Sequence, residues 1–471
     1  MDRRSFLKTS TCLVAGLTGC TVGEDFVSPE KEVPEQFFTS RSTRPVARGY
    51  ERWWTAYDDP KLNRLVEFGL KENLDVRRAQ ARVEQSKALF EGSGYAWSGV
   101  ARVGEFRANG GGNEGGVQSG FVRAEATWQA DLAGRLTRER EATLYRLEAA
   151  FADVSVARTT LLSELTTAYI DARFFQELIR INQRVLESRE ETLAATISAR
   201  ESMRSIERLP ENDNGDIPVV AVTELDVAQA RSLVANARAE LPETKILFFK
   251  SVSRIGMLLG QAWDRPKEGL DKEAPQPVPQ LNSLSTGVPA DLVRNRPDVI
   301  LAENRLAEAV ALAGVAEAEL YPELRLTGNI NLSYSGGDLA PLAGFGRAGI
   351  DIPLFDLPER RAKVAFQKER AKELIFAWEE EVVTAVEEVQ DALVSLVNHR
   401  EAVQFTSQAI EELKEVLRLA RQGYISGRVS FLQVLDAERG LLATENALAL
   451  DKRNFAVDFV NLNVALGGNY G

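Results

Sequence analysis

Leu324–Gly337 reads LRLTGNINLSYSGG, and its two-residue rhythm decides what kind of protein this is. Leu324, Leu326, Ile330, Leu332 and Tyr334 alternate with Arg325, Thr327, Asn329, Asn331 and Ser333. A period of two with one apolar face means a strand. Phe121–Leu132, FVRAEATWQADL, does the same: Val122, Ala124, Ala126, Trp128, Ala130 and Leu132 alternate with Arg123, Glu125, Thr127, Gln129 and Asp131. Each stretch runs about 10–12 residues, and a tilted strand needs roughly 9–11 to cross a bilayer. The apolar face therefore suits either the core of a soluble sandwich or contact with lipid. Partner strands are expected near Ser98–Asn109 and Phe345–Leu354, joined by the Gly-rich loops NGGGNEGG and SGGDLAPLAG. Four strands cannot close a barrel, and open edges are not tolerated in lipid. On the lipid reading the chain must therefore assemble, and three copies supply twelve strands, within the range of outer-membrane barrels.

On either side of these strands the period changes. No Gly or Pro occurs from Arg135 to Leu209, nor from Glu359 to Gln422. Unbroken helices there would reach roughly 110 and 95 Å, far beyond the usual three turns of a globular helix. Leu144, Leu147, Phe151 and Val154, then Leu161, Leu165 and Ala168, recur at three- and four-residue steps, as do Val382, Val386, Val389, Leu393 and Leu396, then Ile410, Leu413 and Leu417. That is the seam of helices packed side by side in coiled-coil fashion. The fold expected is thus a mixed membrane fold, mostly α, with four transmembrane strands per chain.

The chain also repeats itself. VTELDVAQAR from Val222 and VSFLQVLDAER from Val429 share an offset that also carries MLLG, ending at Gly260, onto VALG, ending at Gly467. ENLDVRRAQARVEQSKA from Glu72 parallels NRPDVILAENRLAEAVA from Asn295, with Asp75 and Asp298 in register. Two copies of one unit follow. The organisation expected is a leader at 1–19, an extended segment at 20–60, a first repeat at 61–270, a linker at 271–290 and a second repeat at 291–471. Strands lie at about 98–132 and 324–355, and long helices at about 135–209 and 359–422.

Arg3, Arg4 and Lys8 precede a short apolar run, Thr9–Leu17, which is too short to span a bilayer and reads as a secretory signal. Leu17-Thr18-Gly19-Cys20 resembles a lipobox, which makes Cys20 the expected site of covalent lipid. RRSFLK resembles a twin-arginine export signal, with Asp2 where Ser or Thr is preferred. The chain carries 57 Lys+Arg against 69 Asp+Glu, a net charge of −12, which is a poor match for nucleic acid. Cys12 would leave with the signal and Cys20 would carry lipid, so no disulfide is expected. The one histidine, His399 in LVNHREAV, gives no transition-metal cluster. HExxH, GxSxG and phosphate-binding loops are absent. An enzyme is not expected, nor a metal site, nor any cofactor besides the lipid on Cys20.

These residues resemble the TolC-like outer-membrane factors of tripartite efflux systems, in their lipoprotein branch. CTVGEDFVSP resembles the family's Cys-x-Val-Gly-Pro-Asp-Tyr-x-x-Pro, with Glu24 in place of the proline. WWTAYDDPKLNRLVEFGLKENLDVRRAQARV and RPDVILAENRLAEAVALAGVAEAELYPELRLTG resemble two further signatures, the latter with Arg296-Pro297-Asp298, Gly314 and Pro322 in place. WQADLAGR and IDIPLFD resemble its strand-to-helix junctions. The likeness covers essentially the whole mature chain. Leu357-Pro358 stand where the family usually has glycines, and the tip loop Glu207–Val220 is longer than expected.

The resemblance implies a homotrimer whose twelve-stranded outer-membrane barrel continues into a periplasmic helical tunnel. A periplasmic adaptor and an inner-membrane pump are the implied partners, of the resistance–nodulation–division type by association of the lipoprotein branch. The subunit would be a passive, gated conduit exporting drugs or other toxic small molecules. Leu432, Asp436 and Arg439 match residue by residue the Leu-x-x-x-Asp-x-x-Arg with which relatives narrow the tunnel's inner end; Gln229 stands opposite Asp436 in the first copy. Alternatively Leu432 is seam packing and Asp436–Arg439 an ordinary i,i+3 pair. Two other readings of the whole chain stand beside this one. One is the conduit of an ATP-driven exporter; the other is a lipid-anchored periplasmic scaffold with a soluble sandwich.

Overall fold

The computed structural model describes residues 21–31, 52–108, 117–207, 222–261, 270, 272–280, 294–335, 338–426 and 428–468. Cys20, the signal, and all but the first residue of the expected tip loop lie outside them. The elements are, in chain order, a 3-10 turn Trp53–Tyr57, α1 Pro60–Glu72, α2 Leu74–Glu91, β1 Trp97–Ala108, β2 Val117–Ala130, α3 Arg135–Glu207, α4 Glu224–Leu258, α5 Pro297–Ala318, β3 Glu323–Ser335, β4 Asp338–Leu339, β5 Ala343–Asp351, α6 Leu357–Ile425 and α7 Phe431–Ala465. None of the described helices is long and apolar enough to cross a membrane. Two compact units emerge, each drawn from both halves of the chain.

The first unit comprises Met1–Glu32, Ala79–Val154 and Pro297–Val382 and holds the whole sheet. All pairings are antiparallel in the order β1-β2-β3, with β4 and β5 both on the far edge of β3. β5 runs Ala343–Asp351 rather than 345–354, and Ser335, Asp338, Leu339, Ala343 and Gly344 of the expected SGGDLAPLAG loop lie in strands. Between the pairs Tyr334↔Leu339 and Asn331↔Ala343, two residues of β3 face Ala340, Pro341 and Leu342. Ala340 still donates to the Ser333 carbonyl at 2.8 Å, whereas Pro341 has no N–H to give. The extra residue makes a bulge there, so an edge strand that would otherwise be continuous is split in two.

Both long helices begin where the sheet hands over to them. Asp131 caps α3, accepting from the N–H groups of Leu136 at 3.0 Å and Thr137 at 2.9 Å, while Gly134 makes the turn at φ +79°, a conformation open to glycine. α6 starts at Leu357 with Pro358 in its first turn, where no N–H is required. The departure from the family's glycines is therefore compatible with an orderly helix start. At its other end α6 runs through Gly423 to Ile425; a Cβ at Gly423 would come within 3.0 Å of Val429, so the glycine there serves close packing rather than ending the helix.

The second unit, Val33–Arg78, Ser155–Arg296 and Val383–Gly471, has its own apolar core. Trp53, Leu62, Val66, Leu162, Leu165, Tyr169, Ile255, Leu396, Phe459 and Val460 are all buried within it. Trp53 and Tyr57 meet Phe459 edge to face at 6.3 and 5.7 Å, and the Tyr57 hydroxyl donates to the Ala456 carbonyl at 2.6 Å. Asp59 caps α1 and also accepts from the Tyr169 hydroxyl; burial first, then that bond to a carboxylate, raises the Tyr169 pKa. Leu161, Leu165, Ala168, Val389, Leu393 and Leu396 of the seams read from sequence lie in this core, whereas Leu144 and Phe151, read into the same pattern, are exposed in this chain.

Candidate channel wall and gate

The sheet register brings like faces together. Val122 stands opposite Leu332, Ala124 opposite Ile330, Ala126 opposite Gly328 and Trp128 opposite Leu326. On β1 the same face continues with Trp97, Gly99, Ala101 and Val103, and on β5 with Gly344, Gly346, Ala348 and Ile350. Directly opposed residues share a face, so one apolar surface crosses four strands. It is also uncovered: Val103 is 80 % exposed and Ile330 54 %. A contiguous exposed apolar surface of this kind marks contact with lipid or another molecule. Trp97 and Trp128 pair at one end with ring centroids 6.3 Å apart, and the Tyr334 ring lies over Gly120 at the other. Eight residues of strand separate those levels, roughly 26 Å along the strand and about 20 Å along the normal at a barrel strand's tilt, comparable to the apolar band of about 25 Å flanked by aromatic girdles in outer-membrane barrels.

The opposite face is mainly polar along β2 and β3, with Val100 of β1 and Phe345 of β5 also on it. Arg123 stands opposite Asn331, Glu125 opposite Asn329 and Thr127 opposite Thr327, whose hydroxyls lie 3.4 Å apart. Among the described residues the outer edges of β1 and β5 pair with nothing.

The segment after Cys20 is strapped to the strand-to-helix junction. Val22 donates to the Ala133 carbonyl at 3.1 Å. Arg138, itself 2 % exposed, donates to the carbonyls of Val22 and Gly23 and to Asp25 at 2.7 Å. Gly23, at φ +92°, sits so close to Gly314 that a Cβ would come within 2.7 Å of its Cα. Phe26 meets Tyr145 edge to face and Lys31 pairs with Glu379 at 2.7 Å. Thr21 rests against Gly134, which puts the start of the strap just beyond the end of β2. Gly314 was legible in sequence. The clamp by Arg138 was not, because nothing local ties residue 138 to residue 25.

Leu432, Asp436 and Arg439 lie together on one exposed stripe of α7. Leu432 is 56 % exposed, while its neighbours Phe431, Val434 and Leu435 are buried. Within this chain, then, Leu432 is not part of the helical seam. Leu225, its counterpart on α4, is 65 % exposed. Arg439 approaches Asp436 at 3.8 Å, both well exposed. Beside the stripe a cleft of about 200 Å³ is lined by residues of α3, α6 and α7. Arg421 spans it, donating to the Ser188 hydroxyl at 2.7 Å and to Glu438 at 2.8 Å, and Arg184 reaches Glu445 at 3.4 Å. These ties join three helices next to the stripe and left no trace in sequence spacing. Among the described residues no group of three His, Cys, Asp or Glu is arranged to hold a metal ion.

Residues 288–468 match the model of the family described as outer membrane efflux protein. Nodulation protein T of Rhizobium leguminosarum bv. viciae is 33 % identical over 476 residues, covering 99 % of this chain and 94 % of that protein. This chain belongs to the outer membrane efflux protein family. Its TolC-like relatives include the toluene efflux pump outer membrane protein TtgC of Pseudomonas putida, 27 % identical over 96 % of this chain and 93 % of that one. The probable outer membrane lipoprotein SilC of Salmonella typhimurium is 26 % identical over the full length of both. Among solved structures, the outer-membrane channel OprN superposes with a TM-score of 0.82 at 29 % identity, over 96 % of this chain and 100 % of that one.

Proposed function

We propose that this family member is the trimeric outer-membrane conduit of a tripartite efflux system, passing small toxic molecules outward without chemistry of its own. The observation that carries the reading is the sheet: one uncovered apolar face across four strands, a polar face behind it, and two unpaired outer edges. In lipid those edges must be closed by other copies, and three chains close a barrel of twelve strands with the polar face lining the lumen. The order helix, strand pair, very long helix, helix, found on both halves of the chain, supports a duplicated unit. The long helices that continue from the strands form the periplasmic tunnel, where an adaptor and an inner-membrane pump dock.

Cys20 carries the lipid, and the strap from Thr21 to Lys31 holds that end of the chain against the strand-to-helix junction. On α7, threefold symmetry turns Leu432 into an apolar ring and Asp436 into a ring of carboxylates. Apolar rings block by dewetting and acidic rings favour cations. Arg439 pairs with a carboxylate to latch the closed state.

Purification in detergent tests the reading directly. A trimer that resists dissociation in unheated SDS and inserts into planar bilayers with discrete conductance steps is expected. A monomer that stays soluble without detergent would overturn it.

A further inference from the structure

The polar face of the sheet carries an unexpected juxtaposition of like charges. In a chain of net charge −12, β1 and β2 place Arg102 directly opposite Arg123. Like charges in that position are destabilising, with Cα atoms only about 4.5–5.5 Å apart. Their lateral neighbours offer no compensation: Arg123 is flanked by Asn331 on β3, which stands opposite Ala343 on β5. Arg347 lies on the same face opposite Thr327. Arg325 is different, since Glu323 and Asp351 hold it at 2.8 and 3.2 Å. Among the described residues Arg102 and Arg123 have no ion-pair partner; Glu125, opposite Val100 and Asn329, is the acid next to the pair, while Asp338, Glu323 and Asp351 share the face at more distant levels. At the Arg102–Arg123 level each chain thus presents two positive charges against the single acid Glu125, an excess of one, in a stretch of sheet that packing would accept with any polar residue.

We infer that Arg102 and Arg123 form an anion-selecting band in the lumen of the barrel, so that this stretch of the conduit favours anionic small solutes, those bearing carboxylate, phosphate or sulfonate, over cations of the same size, opposite in sign to the Asp436 ring at the helical end. The inference rests on the trimeric barrel proposed above. Threefold symmetry turns the pair into a ring of six guanidiniums, and rings of Arg or Lys are how anion pores select. Guanidinium also suits these solutes by geometry, offering paired N–H donors to two oxygens. The field of the band reaches about 8 Å at physiological ionic strength, so it acts on solutes within its own stretch of lumen and weakens as salt rises.

The test is ion selectivity in planar bilayers under a tenfold KCl gradient, with the purified trimer carrying Asp436→Ala throughout so that the Asp436 ring adds nothing. Arg102→Gln with Arg123→Gln is expected to lower the chloride-to-potassium permeability ratio at least threefold. Arg102→Lys with Arg123→Lys, which keeps the charge, should leave the ratio near its starting value. The single change Arg102→Glu converts the repulsion into an ion pair and should lower the ratio as well, which keeps the test decisive if the Gln pair assembles poorly. A ratio that is the same in the Gln, Lys and Glu proteins overturns the anion band while leaving the conduit intact. Failure of the Asp436→Ala parent to form a trimer or to conduct, with the unsubstituted protein failing too, overturns the barrel reading itself.

Discussion

Ile330→Arg puts the lipid-facing reading of the sheet at risk. Ile330 lies on β3 four residues from Leu326, at the level of the Trp97–Trp128 pair, and four from Tyr334 at the other end. At about 3.3 Å per residue it is roughly 13 Å from either aromatic level, hence near mid-bilayer. Its opposite neighbours on the same face are Ala124 and Gly344, so a guanidinium there finds no acceptor. The acid on that face, Glu105, stands a further four positions along, opposite Gly120 and thus at the level of Tyr334. Arginine at the midplane of a barrel costs about 2–4 kcal/mol, a factor of about 30 to 1,000 per chain, and three chains incur it together. Leu326→Arg, near the aromatic level, should cost only about 0–1 kcal/mol. Asn329→Arg, one residue away on the opposite face, would stand across from Glu125, where opposite charges gain about 0.2–1 kcal/mol. The assay is urea-titrated folding into vesicles, with SDS-resistant trimer in outer-membrane fractions as the cellular counterpart. The ranking expected is a large loss for Ile330, little for Leu326 and none for Asn329. Equal tolerance at Ile330 and Asn329 would refute the reasoning and make the sheet a two-sided soluble surface.

Asp436→Ala with Arg439→Ala should raise single-channel conductance and loosen exclusion of large antibiotics by cells; unchanged conductance at unchanged trimer yield would leave the pair as a surface i,i+3 contact. Cys20→Ser should slow maturation yet leave inserted trimer, because one or two acyl chains anchor more weakly than a barrel; pulse-chase with membrane fractionation reads this. Asp458 is buried against His399, with Nδ1 to Oδ2 at 2.5 Å, and burial raises its carboxyl pKa despite the opposing pull of His399 and then Arg453. A raised carboxyl binds more protons folded than unfolded, so its contribution to stability falls as pH climbs from the usual carboxylate range through the raised value. Asp458→Asn should remove that slope from thermal melts taken across the interval, and an identical slope in the variant would show that the burial does not act this way.

Much of this protein is written locally. Alternation in 324–334 and 122–132 states which side chains share a face, because successive residues of a strand point to opposite sides whatever it pairs with. The stretches without Gly or Pro state where helices run long, to within a few residues of α3 and α6, because propensity and the 3.6-residue seam are properties of neighbours in sequence. The lone histidine and the missing nucleophile motifs narrowed the chemistry by composition alone.

What the tertiary structure decided are relations between residues far apart in the chain. Alternation could not say that Val122 meets Leu332 rather than Arg123, yet that register is what joins four striped strands into one apolar wall and sets Arg102 against Arg123. The split of β4 from β5 depends on counting residues against a partner strand. Sequence could not say whether Leu432 packs against the other helices of its own chain, since an apolar residue at helical spacing suits a seam or an open stripe; its exposure depends on which face of α7 the neighbouring helices cover. Nor did any spacing foretell Arg138 clamping Asp25, or Arg421 bridging Ser188 and Glu438. Long side chains bridge whatever the fold brings within reach, and reach is fixed only once the backbone is folded.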